Sequence, residues 1–191
     1  MYPEPIILLG SPRSGTSLIA SIFAAHGVWV GTSRPSDEGN PEGYFENIML
    51  SEVRYRMGHG DGLSKDLVHQ LLESDGYEGG PWLVKHSPPT WRAWRQFSPK
   101  WILIKRNPVK LLESRIKCGQ WDMTREEHEI AIATDLVVMD GIEFHYSGLE
   151  IWTDKLFSGC WSELEDAFEY CGLTLDVDKV KRILKPSLWH G

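Results

Sequence analysis

The sequence predicts an α/β fold in which helices cover both faces of a central parallel sheet, a three-layer sandwich. Short apolar runs at residues 5–9, 82–85 and 101–105 are typical of parallel strands that are buried on both faces. Segments with helical spacing of apolar residues separate these runs. Because strands and helices alternate along the chain, parallel pairing through helical crossovers is favoured.

Length and composition limit the kinds of protein this chain can be. Its 191 residues predict a single domain, residues 1–191, with a substantial core. A net charge of −7 disfavours nucleic acid as the main partner. No apolar run reaches the ~18 residues of a membrane span, and we see no secretion signal, so we expect a cytoplasmic protein. Cys118, Cys160 and Cys171 form no C-x-x-C pair and are expected to be reduced, mostly buried thiols.

The first apolar run leads through a glycine-bounded loop into a helix. The loop has the sequence GSPRSGTS at residues 10–17, and apolar residues at helical spacing follow from Leu18 to residue 25. The first N–H groups of a helix have no intrahelical partners, and a tight turn adds further amides on a concave surface. The segment therefore predicts a site for a phosphate or a similar anion.

This loop matches the Walker A pattern G-x-x-x-x-G-K-S/T at every defined position except the lysine. Gly10 and Gly15 stand at the glycine positions and Ser17 at the hydroxyl position, but Thr16 replaces the lysine. The positive charge lies inside the loop instead, as Arg13. A nucleoside triphosphatase uses the lysine to reach the outer phosphates, so this departure counts against that class.

The other elements follow from apolar spacing, caps and chain breakers. They are a short strand at residues 28–30, an exposed loop at 31–43, helices at 46–57, 65–73, 90–97, 108–117 and 124–139, a strand at 149–152, and helices at 162–171 and 178–184. Ligands of such sheets bind at the carboxyl ends of the strands. The loop at residues 10–17, His86 and Arg106 are therefore expected at one edge.

A second anion signal follows the strand at residues 101–105. Arg106 stands at its end, and Asn107 and Pro108 are suited to the N-cap and first turn of a helix. Ser114 lies a little over two turns further on, and an arginine fork suits phosphate. Alternatively, Arg106 pairs with a carboxylate and Ser114 is merely solvated. Two anion sites at one edge predict a nucleotide with phosphates at both ends of its ribose.

Together the two motifs resemble those of sulfotransferases that use 3′-phosphoadenosine-5′-phosphosulfate (PAPS), especially bacterial and phage-type members. The sequence PRSGTS at residues 12–17 resembles the 5′-phosphosulfate loop, and RNP at 106–108 with Ser114 resembles the 3′-phosphate motif R-D/N-P-x5-S. Residues 40–46, 82–85, 150–154 and 164–173 are also similar to parts of that family. The resemblance implies a P-loop NTPase-like fold and PAPS-dependent transferase activity.

The resemblance also implies roles for individual residues. The 5′-phosphosulfate would be held by Ser14, Gly15, Thr16 and Ser17, with Arg13 near the bridging oxygen, and the 3′-phosphate by Arg106 and Ser114. The implied product is 3′,5′-adenosine bisphosphate. The chain departs from the family at residues 85–88, which are KHSP where members often have KDPR, and it shows no clear glycine-rich C-terminal 3′-phosphate segment.

By analogy with phosphoryl transfer, we expect an in-line displacement that needs no metal, since no strand ends in the aspartate of a Walker B motif. The acceptor hydroxyl or amine requires a general base, for which His86 and Glu46 are the candidates. His86 is alternatively a capping or core histidine, and Glu46 a carboxylate favoured at a helix N-terminus. Lys85 either assists the leaving group or simply ends its strand.

Two further functions and the acceptor stay open at this stage. The fold also suits a P-loop-type nucleotide kinase or a non-catalytic nucleotide-binding module. Trp29, Tyr44, Phe45 and Trp121 are either core residues or the wall of a site for a small-molecule or carbohydrate-like acceptor, such as a sugar, phenol or lipid headgroup. The sequence leaves the oligomeric state undetermined.

Overall fold

The computed structural model describes residues 2–37, 40, 43–56, 63–119 and 121–184. Four strands, β1 (Ile6–Gly10), β2 (Leu83–His86), β3 (Lys100–Lys105) and β4 (Leu149–Trp152), form one sheet in the order β2-β1-β3-β4. Every pair in this sheet is parallel. The predicted α/β class with a central parallel sheet is confirmed, while the expected strand at residues 28–30 is reduced to a single parallel bridge between Trp29 and Trp82.

Helices occupy most of the remaining described chain. They are α1 (Thr16–Ala25), α2 (Ile48–Arg56), α3 (Lys65–Ser74), α4 (Trp91–Trp94), α5 (Pro108–Cys118), α6 (Arg125–Tyr146), α7 (Thr153–Phe157), α8 (Ser162–Tyr170) and α9 (Val177–Ile183). Short 3-10 turns flank α4 at Pro88–Thr90 and Arg95–Phe97. No helix in these ranges has the length and apolar character needed to cross a membrane.

The alternation of side chains along β1 divides the core into two layers. Ile6 and Leu8 pack into a cluster with residues of α1, α8 and α9, whereas Ile7 and Leu9 pack into another with residues of α3, α4 and α6. Successive strand residues point to opposite faces of a sheet, so both faces of β1 must be covered. Each fully buried aliphatic side chain contributes about 1.5–3 kcal/mol, which explains the continuous apolar runs. The layers correspond to helices on both faces of the sheet.

Helix termini follow the local signals in the sequence. The Asn107 side chain accepts hydrogen bonds from the backbone N–H groups of Val109 and Lys110, which confirms the predicted N-cap of α5. Thr124 and Glu127 form the predicted capping box of α6. However, α6 continues seven residues beyond the predicted end at residue 139, because buried side chains at helical spacing continue through Ile142.

The three cysteines are free thiols, and their burial differs from the expectation. Cys118 and Cys171 are partly buried, whereas Cys160 is exposed. The prediction of mostly buried thiols is wrong for Cys160, because this residue lies in the turn between α7 and α8. Burial raises the pKa of the Cys171 thiol to about 12, although the nearby Lys100 ammonium acts in the opposite direction.

This shifted pKa predicts a dependence of stability on alkaline pH. Between pH 9 and the native pKa of about 12, the unfolded chain releases the Cys171 proton and the native chain retains it. The free energy of unfolding therefore falls as pH rises through this window. We expect Cys171→Ala to flatten the decline measured by urea denaturation from pH 9 to 11, and the exposed control Cys160→Ala to leave it unchanged. Equal slopes for all three proteins would contradict this origin.

Candidate anion-binding site

The parallel register brings the carboxyl ends of the four strands to one edge. Gly10 of β1 is paired with Ile104, and Leu9 with His86 of β2, so the segments that follow these strands leave the sheet side by side. Lys105 of β3 is in turn paired with Trp152 of β4. The loop after β1, the end of β2, Arg106 and the start of α7 therefore surround one area.

Both glycines of the loop are required by close approach of neighbouring atoms. Gly15 is the N-cap of α1, with φ of 97°, and no side chain caps this helix. A Cβ at Gly15 would lie 2.8 Å from the Thr153 Cγ2 atom, and one at Gly10 would lie 2.6 Å from the Ser14 Oγ. The chain therefore turns tightly here and presents the uncapped N-terminus of α1, as an anion site requires.

Arg13 connects the two predicted anion motifs. It adopts a left-handed conformation with φ of 75°, which is rare for a residue with a Cβ and costs about 1–3 kcal/mol. Its carbonyl oxygen accepts a hydrogen bond from the Arg106 guanidinium at 3.1 Å, and its Nε donates to the Ser114 hydroxyl at 3.5 Å. The loop after β1 and the segment after β3 are thus in direct contact.

Hydrogen bonds hold three carbonyl groups of the loop. The Ser11 carbonyl accepts from the Ser14 N–H at 3.0 Å, the Arg13 carbonyl from Arg106, and the Ser14 carbonyl from the Thr153 hydroxyl at 2.8 Å. Because a peptide carbonyl and the N–H of the next residue point in opposite directions, the bond from Thr153 to the Ser14 carbonyl turns the Gly15 N–H away from the scaffold. That orientation suits an anion.

Arg106 and Ser114 are both buried, with 3% and 6% of their surfaces exposed. Burial lowers the pKa of Arg106, as does the neighbouring Arg13, while the Asp154 carboxylate opposes the shift. An arginine keeps its charge in a folded protein, and the Asp154 carboxylate is near enough to attract the Arg106 guanidinium. Ser114 is not merely solvated, since it accepts the hydrogen bond from Arg13.

The Ser17 hydroxyl is fully occupied by protein groups. It accepts hydrogen bonds from the Lys85 ammonium at 2.9 Å and the Asn40 side-chain amide at 3.1 Å, and it donates to the Tyr44 carbonyl at 3.3 Å. The backbone N–H of Ser17, in the first turn of α1, is the group that this residue offers to a ligand. Residues 41 and 42 of the segment expected to cover the cleft lie outside the described residues.

Lys85 is a buried cation beside this helix, with 5% of its surface exposed. Its ammonium lies 3.1 Å from the Glu46 carboxylate, which is itself 38% exposed. Burial lowers the pKa of Lys85, Glu46 raises it, and Arg34 lowers it further. The structure thus brings together the predicted residues Glu46, Lys85 and Ser17.

His86 lies on the other face of the sheet from Lys85, because neighbouring strand residues alternate. Its ring lies 5.9 Å from that of Trp94 in α4, with the planes tilted by 31°. Glu46 and His86, the two candidate bases, therefore occupy different environments, and only Glu46 of these two is paired with Lys85 in the described contacts.

Three residues that sequence inspection missed support the loop from behind. Thr153 holds the Ser14 carbonyl, and Arg115 donates to the Ser11 hydroxyl at 3.3 Å. Ser11 also hydrogen-bonds the buried Asp135, whose pKa burial raises while Ser11 and the Arg115 charge act in the opposite direction. The sequence contains a signal for Asp135, because this residue stands at the helical spacing of the buried apolar residues of α6. A carboxylate at such a buried position requires a polar or charged partner.

The four aromatic residues considered for an acceptor site have different neighbours. Trp29 contacts Tyr77 edge to face at 5.2 Å, whereas Trp121 lies 5.2 Å from the Arg115 guanidinium. Tyr44 lies 4.6 Å from the Arg34 guanidinium. Phe45 packs on the core cluster that contains α1. The Tyr44 ring also lies 5.9 Å from the Lys85 ammonium, and Trp121 lies 6.3 Å from the ring of His128 in α6. Tyr44 is therefore beside Lys85, and Trp121 is beside α5 and α6.

An acidic group at another part of the described chain already contains a cation. Asp140, Glu143 and Glu150 lie within 4.8 Å of one another. The Lys105 ammonium is 2.7 Å from Asp140 and 3.6 Å from Glu143, and it also pairs with Glu150. These carboxylates are therefore neutralised in part by the lysine at the end of β3.

Comparison with known proteins adds no family assignment. A scan against protein-family models finds no match, and no curated protein matches the chain. The resemblance to sulfotransferases remains a hypothesis supported by the motifs and by the geometry of the loop.

The support of the loop by Arg115 is open to a direct test. Arg115→Met would leave the buried Asp135 carboxylate without its cation, and we expect a loss of about 3 kcal/mol in unfolding free energy. Adding Asp135→Asn should restore part of this loss, because no unpaired buried charge then remains. Chemical denaturation measures both effects, with the exposed Arg92→Met as control; additive losses would show that the two residues do not interact.

Proposed function

We propose that this chain is a PAPS-dependent sulfotransferase with a P-loop NTPase-like fold. One observation carries the proposal: the two anion motifs touch, through Arg106 on the Arg13 carbonyl and Arg13 on the Ser114 hydroxyl. Cationic groups from the ends of β1 and β3 therefore converge on one area. A nucleotide with a phosphate on each side of its ribose has the charge distribution that this arrangement requires.

The residues present are suited to such a ligand. The Ser14 hydroxyl is buried, and it has no hydrogen-bond partner within the described part of the chain. Leaving a buried hydroxyl unsatisfied costs about 1–3 kcal/mol, which an anionic oxygen would offset. The close packing around Gly10 and Gly15 keeps the backbone tight enough for its amides to converge.

PAPS supplies an activated sulfuryl group to an acceptor. The backbone amides of Gly15, Thr16 and Ser17 would bind the 5′ end, and Arg106 with Ser114 the 3′-phosphate. Arg13, oriented by Ser114, would stabilise the negative charge that develops on the leaving phosphate. Because these groups are fixed before the ligand arrives, little reorganisation is needed during transfer.

The acceptor side of the site contains Lys85 and Glu46. A base must take the proton from an acceptor hydroxyl or amine, and Glu46 is the better placed candidate because its carboxylate adjoins Lys85 and Ser17. His86 is retained as the second candidate. We propose a small-molecule or carbohydrate-like acceptor and a cytoplasmic setting, for which the three free thiols are suited.

The contact between Lys85 and Ser17 favours sulfuryl transfer over a P-loop kinase. In a Walker A loop the corresponding hydroxyl binds Mg²⁺. Here the Lys85 ammonium lies 2.9 Å from that hydroxyl, so a second cation at the same place would be repelled. This arrangement therefore favours a mechanism in which side chains, and not a Mg²⁺ ion at this hydroxyl, stabilise the negative charge of the ligand.

The binding part of the proposal predicts a ligand preference. We expect 3′,5′-adenosine bisphosphate to bind without Mg²⁺ and to raise the melting temperature, with Arg106→Ala weakening the affinity at least ~10-fold because a charge-assisted bond is lost. Calorimetry and thermal shift measure this. The exposed Arg95→Ala is the matched control and should bind like the unchanged protein. Binding of ATP with Mg²⁺ alone, and none of the bisphosphate, would favour the kinase alternative.

The catalytic part separates the two candidate bases. If Glu46 is the base, Glu46→Gln lowers kcat by ~10²-fold or more, while bisphosphate affinity is kept. His86→Ala should then change kcat little. Sulfuryl transfer from PAPS to a panel of sugars, phenols and amines provides the assay. The opposite pattern would assign the base to His86, and bisphosphate binding without any turnover would indicate a non-catalytic module.

A further inference from the structure

The first two residues of α7 each contact a different one of the two anion motifs. Thr153 contacts the loop at residues 10–17, and Asp154 contacts the segment that follows β3. Both residues come directly after β4, in which Trp152 is paired with Lys105 of β3. The end of one strand therefore supports both motifs.

The Thr153 hydroxyl lies between two carbonyl oxygens, and the residue is fully buried. It is 2.8 Å from the Ser14 carbonyl oxygen and 3.2 Å from the Lys105 carbonyl oxygen. A carbonyl oxygen can only accept, so the hydroxyl must donate its single proton, and the shorter distance assigns this proton to Ser14. A buried donor thus holds the peptide group that joins Ser14 to Gly15.

This hydrogen bond determines the direction of the Gly15 N–H. The Ser14 carbonyl and the Gly15 N–H belong to one planar trans peptide unit, in which the two groups point in opposite directions. The Gly15 N–H therefore points away from Thr153, and an anion at the N-terminus of α1 would accept from it. The Thr153 methyl group adds a contact, because a Cβ at Gly15 would lie 2.8 Å from the Thr153 Cγ2 atom.

Asp154 holds the other motif through its backbone. Its carboxylate accepts a hydrogen bond from the Asn107 N–H at 2.7 Å. It also attracts the Arg106 guanidinium, and it lies 3.4 Å from the Lys110 ammonium. Because Asn107 is the N-cap of α5, this bond fixes the point at which the chain passes from Arg106 into the helix that contains Ser114.

We propose that Thr153 and Asp154 are positioning residues, one for each end of the nucleotide. Thr153 orients the Gly15 N–H towards the 5′ group, and Asp154 holds Arg106 in place for the 3′-phosphate. A carboxylate repels a phosphate, so Asp154 acts through Asn107 and Arg106 and not by binding the ligand. Since the two residues are adjacent in the chain, they fix the separation of the two subsites. This inference rests on the proposed function.

Thr153→Val tests the 5′ side, because valine has the shape of threonine without the hydroxyl. We expect the affinity for adenosine 5′-monophosphate, measured by calorimetry, to fall at least ~10-fold, since an N–H bond to a charged oxygen becomes misaligned. The affinity for adenosine 3′-monophosphate should change less than ~3-fold, because its phosphate binds at the other motif. Thr153→Ser keeps the donor and should bind both nucleotides like the unchanged chain.

Thr90→Val is the matched control for the loss of a buried hydroxyl. Thr90 is also buried, and its hydroxyl donates to the Ser87 carbonyl at 2.8 Å. This variant should lose a similar amount of unfolding free energy in urea denaturation and keep its affinity for both nucleotides. If Thr90→Val and Thr153→Val weakened binding of the 5′-monophosphate equally, general destabilisation would explain the effect and the proposal would be overturned.

Two uncharged variants separate the hydrogen bond of Asp154 from its charge. Asp154→Asn keeps an oxygen that accepts from the Asn107 N–H, whereas Asp154→Ala does not. The comparison between them therefore measures positioning alone. We expect Asp154→Ala to bind adenosine 3′-monophosphate at least ~5-fold more weakly than Asp154→Asn does, and the 5′-monophosphate equally well. Equal affinities of the two variants for both nucleotides would overturn the role of Asp154.

Failure of this inference and failure of the proposed function give different results. If the unchanged chain binds both monophosphates and Thr153→Val does too, with unaltered affinity, the inference is overturned and the proposed function stands. If the unchanged chain binds no nucleotide, the proposed function is wrong, and inorganic phosphate becomes the probe in an NMR titration. A shift of the Gly15 amide signal that Thr153→Val abolishes would support the positioning role alone; no shift in either protein would overturn both.

Discussion

The contact between Arg106 and the carbonyl oxygen of Arg13 is the interaction on which the candidate site depends. It holds Arg13 in a left-handed conformation and joins the end of β3 to the loop after β1. It also keeps two guanidinium groups close together, and their repulsion contributes to the lowered pKa of Arg106. Asp154 compensates part of this charge. A bound anion would reduce the repulsion between these two guanidinium groups.

The parallel register determines which residues meet at that edge. Since Gly10 pairs with Ile104 and Lys105 with Trp152, the residues that follow β1, β3 and β4 lie side by side. Thr153 begins α7 there and bonds the Ser14 carbonyl from a position 139 residues away. The two apolar layers hold the strands in position, and the residues that follow β3 and β4 then hold the loop after β1 through hydrogen bonds.

The two faces of the sheet separate residues that are adjacent in sequence. Lys85 lies beside α1 and the Ser17 hydroxyl, whereas His86 packs against Trp94 on the opposite face. Adjacent strand residues point in opposite directions, so Lys85 and His86 lie in different environments on the two faces of the sheet. The helices divide their faces in a similar way: α5 contributes Ser114 to the candidate site and exposes Val109 and Ile116 elsewhere.

The sequence by itself determined the features that depend on near neighbours. Apolar runs predicted β1, β2 and β3 within a residue, Asn107 predicted the cap of α5, and the two glycines predicted the turn before α1. Only the tertiary structure decided that Lys85 bonds Ser17 across 68 residues, and that Arg115 and Asp135 hold Ser11. Caps and periodicity act within a few residues, whereas these contacts depend on strand register and on how helices pack against the sheet.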